Sequence, residues 1–241
     1  MESGHIVRAF DEDLKHLSAI IVEMGGIAEK QLADALEALT ARDTALAERV
    51  VTEDARIDAL ERELDAATIQ FLALRQPMAD DLREVVAALK ISHTVERIGD
   101  YAANLAKRAT ALNQLPPAEP VHSVPRMGHL AQKLIKDVLD AYVRHDADQA
   151  IAVWQGDAEL DKLYDSLFRE LLTYMMEDAR NITPCTHLLF IAKSIERIGD
   201  HATNIAELVY FLVHGEPLTE ARPKGDTTSF TVVAPGGEGA G

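Results

Sequence analysis

Acidic side chains recur in this chain at a spacing that suits cation binding. The phrase Glu-Arg-Ile-Gly-Asp-x-Ala-x-Asn occurs twice, 100 residues apart, at 96–104 and 196–204. Its oxygen-bearing side chains are Glu96, Asp100 and Asn104, then Glu196, Asp200 and Asn204. They fall every fourth residue, so on a helix they stack along one face. Upstream lie two further acid pairs at the same spacing, Asp54 with Asp58 and Asp157 with Asp161. At about 100° per residue, Ile91, Val95, Ile98, Ala102 and Leu105 gather into a core stripe. The acids fall on the opposite side, facing solvent or a groove, and His93 shares their face in the first copy only, because Lys193 replaces it in the second. Carboxylates gathered this way repel, and even one like-charge i,i+4 pair costs about 0.2–0.5 kcal/mol. Hard cations such as magnesium, manganese, calcium or oxidised iron are the natural counter-charge. Protonation, a basic partner, or ion pairs from Arg97 and Arg197 are the alternatives.

The elements that must position these acids are helices. Breakers at Asp43, Gln76-Pro77, Asp146 and Asn181–Pro184 divide the chain. Helices are expected at about 6–41, 44–75 and 79–112, then at 124–145, 147–178 and 185–213. Prolines 116, 117, 120 and 125 mark a linker over 113–123. Arg42-Asp43 and Asp54-Ala55 recur 103 residues later as His145-Asp146 and Asp157-Ala158, whereas the third helices align at 100. The chain therefore reads as all-α, with two tandem, pseudo-symmetric three-helix bundles at 1–112 and 124–214. The second and third helices of each bundle form an antiparallel hairpin, which sets Asp58 level with Glu96 and Asp54 with Asp100. Gly25-Gly26 is expected to weaken or kink the first helix. Gly99 and Gly199 lie mid-helix, where glycine costs about 1 kcal/mol against alanine, so a neighbouring helix is expected close to the backbone there. Residues 215–241 turn to Gly, Pro, Ser and Thr and read as a disordered tail. Within it, 229–233 is a docking candidate.

Composition narrows the function. Forty acidic residues against 24 basic give a net charge of -16, which repels nucleic acid and anionic membrane. One cysteine, Cys185, excludes an intramolecular disulfide. The N-terminus lacks a signal-peptide core, and no apolar run approaches the roughly 20 residues of a membrane span. A soluble cytoplasmic protein is expected. No phosphate-binding Gly-rich loop, nucleophile elbow or His-Glu-x-x-His motif is present. No cluster of Arg and Lys converges on an anion, and no enzyme is expected.

The two Glu-Arg-Ile-Gly-Asp phrases, the upstream acid pairs and Arg75-Gln76-Pro77-Met78-Ala79-x-Asp81-Leu82-Arg83 together resemble the PhoU family, over about residues 6 to 214. The resemblance implies multinuclear metal sites on the bundle surfaces. Their ligands would be Asp54, Asp58, Glu96 and Asp100, then Asp157, Asp161, Glu196 and Asp200, with Asn104, Asn204 and His93 as additions. The metal implied is iron, zinc, manganese or magnesium. It also implies a regulator that restrains phosphate uptake and phosphate-starvation signalling. Such a regulator contacts the ATPase subunit of a phosphate ABC transporter and a phosphate-sensing histidine kinase, and homodimerisation is expected. Two other readings stay open at this point: a two-metal hydrolase, and a metal-free helical scaffold with an acidic docking face.

Overall fold

The structure, a computed structural model, describes residues 2–117, 122–220, 222 and 228, with side chains from Glu12 onward. The docking candidate at 229–233 and most of the expected disordered tail lie outside the described residues. Among the described residues the protein is all-α, with six long helices: α1 Glu2–Ala41, α2 Thr44–Arg75, α3 Asp80–Asn113, α4 Val124–Arg144, α5 Ala147–Glu177 and α6 Ile182–His214.

The same capping chemistry opens the second helix of each repeat. Asp43 Oδ1 accepts a hydrogen bond from Leu46 N–H, and Asp146 Oδ1 one from Gln149 N–H, both at 2.9 Å. Each satisfies an amide that the helix cannot. The residue before each cap, Arg42 or His145, takes a left-handed conformation with φ of 56° or 53° and ends the preceding helix. Arg42 reaches further and donates to the carbonyls of Leu112, Asn113 and Leu115, closing the C-terminal end of α3. The expected turn at Asn181–Pro184 is shorter than the sequence indicates. A single 3-10 turn, Ala179–Asn181, leads directly into α6 at Ile182. Pro184 is the third residue of that helix, where its missing N–H would have had no partner anyway.

Two helix pairs join the repeats, α1 with α4 and α3 with α6. Glycine packing relates α1 and α4 by a pseudo-twofold axis. A Cβ on Gly25 would strike the side chain of Leu139, and a Cβ on Gly128 would strike Leu36. Gly25 and Gly128 are equivalent at the 103-residue offset, and so are Leu36 and Leu139. Each helix thus drops a leucine onto the bare backbone of the other. This corrects the expectation for Gly25-Gly26: α1 runs unbroken through both residues. Gly25 is buried so that Leu139 can approach, while Gly26 faces open space. Along the second seam, α3 and α6 run antiparallel. Tyr101 stacks on its counterpart His201 with ring centroids 5.6 Å apart, and the Arg108 guanidinium lies 4.1 Å from the centre of the Phe190 ring. A continuous apolar core runs through both repeats, from Leu17 to Val209.

Alanine substitutions should separate the two roles of glycine. Gly128→Ala gains about 1 kcal/mol of helix propensity but forces buried Leu36 to move, at a cost of about 1–3 kcal/mol, so a net loss of up to about 2 kcal/mol is expected. Gly26→Ala meets nothing and should stabilise by about 0.5–1 kcal/mol. Urea denaturation of the two variants beside the parent checks both signs.

Candidate functional site

Two acidic grooves lie between the second and third helices of the repeats, and glycine sets their width. In the first repeat a Cβ at Gly99 would sit 2.7 Å from Ile57 Cδ1, 3.1 Å from Gln31 Oε1 and 3.3 Å from Asp54 Oδ1. In the second, a Cβ at Gly199 would strike Asp157 Oδ1 and Leu160 Cδ2. The glycine inside each repeated phrase therefore admits both the neighbouring helix and the acid it carries. Asp54 and Asp157 lie against α3 and α6 at the level of Asp100 and Asp200.

The first groove is crowded with negative charge. Asp54, Asp58, Glu96 and Asp100 are all partly buried. Arg97 donates from Nη1 to Asp100 Oδ2 at 3.2 Å, and its Nε lies 3.5 Å from Glu96 Oε2. Burial chiefly pushes the Glu96 carboxyl up to about 6, with Asp100 adding to the effect, Arg97 opposing it, and Glu61 and Asp58 contributing further. Asp54 is also raised. Burial leads, a hydrogen bond from Gln31 opposes it, and the charges of Asp100 and Asp58 add to it. Gln31, on α1, is 1% exposed and donates from Nε2 to Asp54 Oδ1 at 3.3 Å, while its Oε1 finds no hydrogen-bond donor among the described residues. The sequence reading missed Gln31, because nothing in the linear pattern ties α1 to the acids.

His93 does not reach the Glu96–Asp100 ladder. Its Nε2 lies 3.3 Å from Asp65 Oδ1 and 3.8 Å from Glu61 Oε1, both on α2. The acidic line on α2 therefore runs Asp54, Asp58, Glu61, Asp65. The i, i+4, i+7, i+11 spacing carried that signal, and the sequence reading stopped at the first pair. Asn104 and Asn204 are exposed and hydrogen-bond to none of the acids. Asn204 instead lines a 580 Å³ cavity between α3 and α6, with Lys90, His93, Leu208 and Phe211.

The second groove has the same acids in a different setting. Asp157, Asp161 and Glu196 are buried, whereas the ladder was expected to face solvent or an open groove. Three substitutions account for this. At the 103-residue offset, Tyr164 and Phe168 take the places of Glu61 and Asp65, and they bring apolar rings where the first groove has carboxylates. Lys193 replaces His93, lying 2.9 Å from Glu196 Oε1 and 4.9 Å from the centre of the Tyr164 ring. Arg222, beyond α6, closes the top. Its Nη2 donates to Asp157 Oδ2 at 2.5 Å and lies 2.7 Å from Asp200 Oδ1. Burial still holds the Asp157 carboxyl above the ordinary range despite Arg222, with Asp161 and Asp200 adding to the effect. Asp157 Oδ1 has no hydrogen-bond partner among the described residues.

Among the described residues, no group of three or more His, Cys, Asp or Glu side chains is arranged to hold a metal ion. The donor chemistry nevertheless suits a hard cation. All the candidate acids present oxygen, the first groove holds Glu96 and Asp54 reluctant to ionise, and Asp157 Oδ1 and Gln31 Oε1 are buried acceptors without donors.

Fold and grooves together define a class: an all-α protein built of two repeats, each with a carboxylate groove between its second and third helices. The PhoU domain model matches residues 21–109 and 124–209, and the chain belongs to the PhoU family. It is 53% identical over 226 residues to a phosphate-specific transport system accessory protein PhoU homolog of Caulobacter vibrioides, covering 93% of this chain and 98% of that one. The Zymomonas mobilis homolog is 51% identical, covering 91% and 92% respectively. The crystal structure of PhoU from Pseudomonas aeruginosa superposes with a TM-score of 0.84 at 41% identity, over 86% of this chain and all of that one. The phosphate transport system regulatory protein PhoU from Streptococcus pneumoniae gives a TM-score of 0.80 at 29% identity, over 88% of this chain and all of that one.

The shift of Glu96 gives the first groove a pH signature. A carboxyl raised to about 6 in the folded chain, from an ordinary 4.5, binds its proton more tightly folded than unfolded. Its stabilising contribution is complete below pH 4.5 and is lost as the pH rises through 6. In metal-stripped protein, Glu96→Gln should therefore be more stable than the parent at pH 7.5. The gap should close as the pH falls toward 5, and urea denaturation across that range would read it. Parallel pH profiles would show that Glu96 carries no such strain.

Proposed function

We propose that this protein is a non-catalytic cytoplasmic regulator of phosphate homeostasis. It restrains phosphate uptake and phosphate-starvation signalling by contacting the ATPase subunit of a phosphate ABC transporter and a phosphate-sensing histidine kinase. Membership of the PhoU family supports this reading, because its relatives are named as accessory or regulatory proteins of phosphate transport. Among the described residues no helix is long and apolar enough to cross a membrane, so any role at a transporter would be that of a docked partner.

The observation that carries the metal-binding part is the excess charge of the first groove. Asp54, Asp58, Glu61, Glu96 and Asp100 face one another there, while Arg97 pairs with only two of them. Asp54, Asp58, Glu96 and Asp100 would hold the metal in that groove, and Asp157, Asp161, Glu196 and Asp200 in the second. A bound cation would supply the positive charge that lets these acids pack together and could bridge them to an anion such as phosphate. An all-oxygen donor set favours magnesium, manganese or oxidised iron over zinc. The chain's own contribution is positional. Gly99 and Gly199 admit the acids of the second helix, and Gln31 holds Asp54 in place.

A second reading has its own observation. Arg222 shows that a protein guanidinium can satisfy two of these acids. The grooves would then be docking sites for basic residues of a partner, formed without metal.

Metal analysis separates the two. Protein purified without a metal-affinity tag should carry bound metal by mass spectrometry, and Asp100→Asn/Asp200→Asn should lower the content at least severalfold with helicity unchanged. A parent that is empty, and stays empty when titrated with manganese, magnesium, iron and zinc, would leave the docking-face reading.

A further inference from the structure

The two acidic grooves descend from one repeated sequence, yet among the described residues only the second is closed by a cationic side chain from outside its own helices. We propose that Arg222 is a built-in counter-ion for the second groove, delivered by the segment that follows α6, and that an external cation must displace it to reach Asp157 and Asp200. The displacement half of this rests on the metal reading above. The anchoring half does not.

The geometry of the segment supports delivery. α6 ends at His214, and Gly215 reverses the chain in a left-handed conformation with φ of 76°, its N–H bonded to the carbonyl of Phe211. The backbone of Gly215 packs against the Arg83 guanidinium so closely that a Cβ there would collide with it. Pro217 and Leu218 then line the cavity formed with Lys90, His93, Leu208 and Phe211. From His214 back to Asp200 is fourteen residues of helix, about 21 Å at 1.5 Å per residue. From Gly215 to Arg222 is seven residues, which span at most about 23–25 Å. The segment is thus long enough to carry Arg222 back to Asp200 with little slack.

The contact itself is a guanidinium against two carboxylates in a protected place. The Arg222 side chain is 15% exposed, Asp157 1% and Asp200 28%. Exposed ion pairs contribute little, but a charge-assisted bond to a buried carboxylate is about twice as strong as a neutral one. Asp157 would otherwise be a buried anion against Asp161 and Asp200. Among the described residues the first groove has no equivalent, for a topological reason. The chain leaving α3 is committed to reaching α4. It lies with Pro116, Pro117 and His122 beside Arg42 and Leu112, at the far end of α3 from the turn that follows α2. The segment after α6 is under no such constraint and returns to the acids of α5 and α6.

Limited trypsin digestion of the metal-stripped full-length chain tests this. Arg222 precedes a proline and resists cleavage, so the informative bond follows Lys224, two residues on. A protease needs several residues around that bond extended in its cleft, and a chain anchored at Arg222 cannot provide them. Cleavage after Lys224 should be at least about fivefold faster in Arg222→Gln, because proteolysis follows the population of the released chain. It should rise likewise in Asp157→Asn/Asp200→Asn, where Arg222 is intact and its acceptors are gone. Circular dichroism would confirm that both variants keep their helices. Equal rates in all three proteins would overturn the anchoring. Manganese should speed cleavage of the parent and leave Arg222→Gln unchanged, and Arg222→Gln should bind manganese more tightly in a background with Asp54→Asn and Asp100→Asn. Manganese that binds the second groove without speeding cleavage would overturn the displacement. Manganese that binds neither groove, with Arg222→Gln still cleaved faster, would overturn the metal reading and the displacement together and leave the anchoring established.

Discussion

Carboxylates forced together between helices must find positive charge, and much of this molecule follows from how each groove meets that requirement. The acids of α2 and α5 reach the neighbouring helix because Gly99 and Gly199 present no Cβ to stop them. Closeness brings burial, and burial raises the free energy of every charge left unpaired. In the first groove, part of the cost stays in the structure as carboxyl groups reluctant to ionise at Glu96 and Asp54. In the second, Lys193 and Arg222 provide a cationic roof, and Tyr164 and Phe168 shorten the acidic strip beneath it. The same repeated phrase thus supports two electrostatic environments.

The frame that keeps these environments in register is the seam between the repeats. Gly25 with Leu139 and Gly128 with Leu36 make the same contact twice, and Tyr101 stacks on its own counterpart across the second seam. Close backbone approach at α1 and α4 is a packing device that leaves little room for the two halves to slide. The helices α3 and α6 belong both to this seam and to the grooves.

Much of the fold was legible in the sequence, because it is written in local signals. Asp43 and Asp146 announce caps, Pro77 announces a turn, and the core stripe through Ile91, Ile98 and Leu105 has helical period. The expected pairing of Asp54 with Asp100 followed from counting residues about a hairpin. What escaped was tertiary in origin. Gly25 looked like a weak point in a helix, and only the partner Leu139 explains it. Gln31 is an ordinary helix residue until α1 is laid beside Asp54. Arg222 lies in a stretch of tail-like composition, where nothing local says that its guanidinium returns to Asp157. The burial of the second ladder likewise came from residues outside the motif, so a helical wheel drawn for one helix could not anticipate it.

The reciprocal Gly–Leu contacts have the form of a contact between two identical molecules. A pair of separate single-repeat chains joined this way would obey true twofold symmetry, and every substitution would appear in both grooves at once. Covalent fusion through 114–123 lifts that restriction. Glu61 and Asp65 can remain in one copy while Tyr164 and Phe168 occupy the other, and a cation can be assigned to one groove alone. Duplication followed by linkage therefore gives a molecule that keeps the stability of a symmetric interface and yet offers two chemically distinguishable ends, a polarity that no symmetric dimer of identical halves can possess.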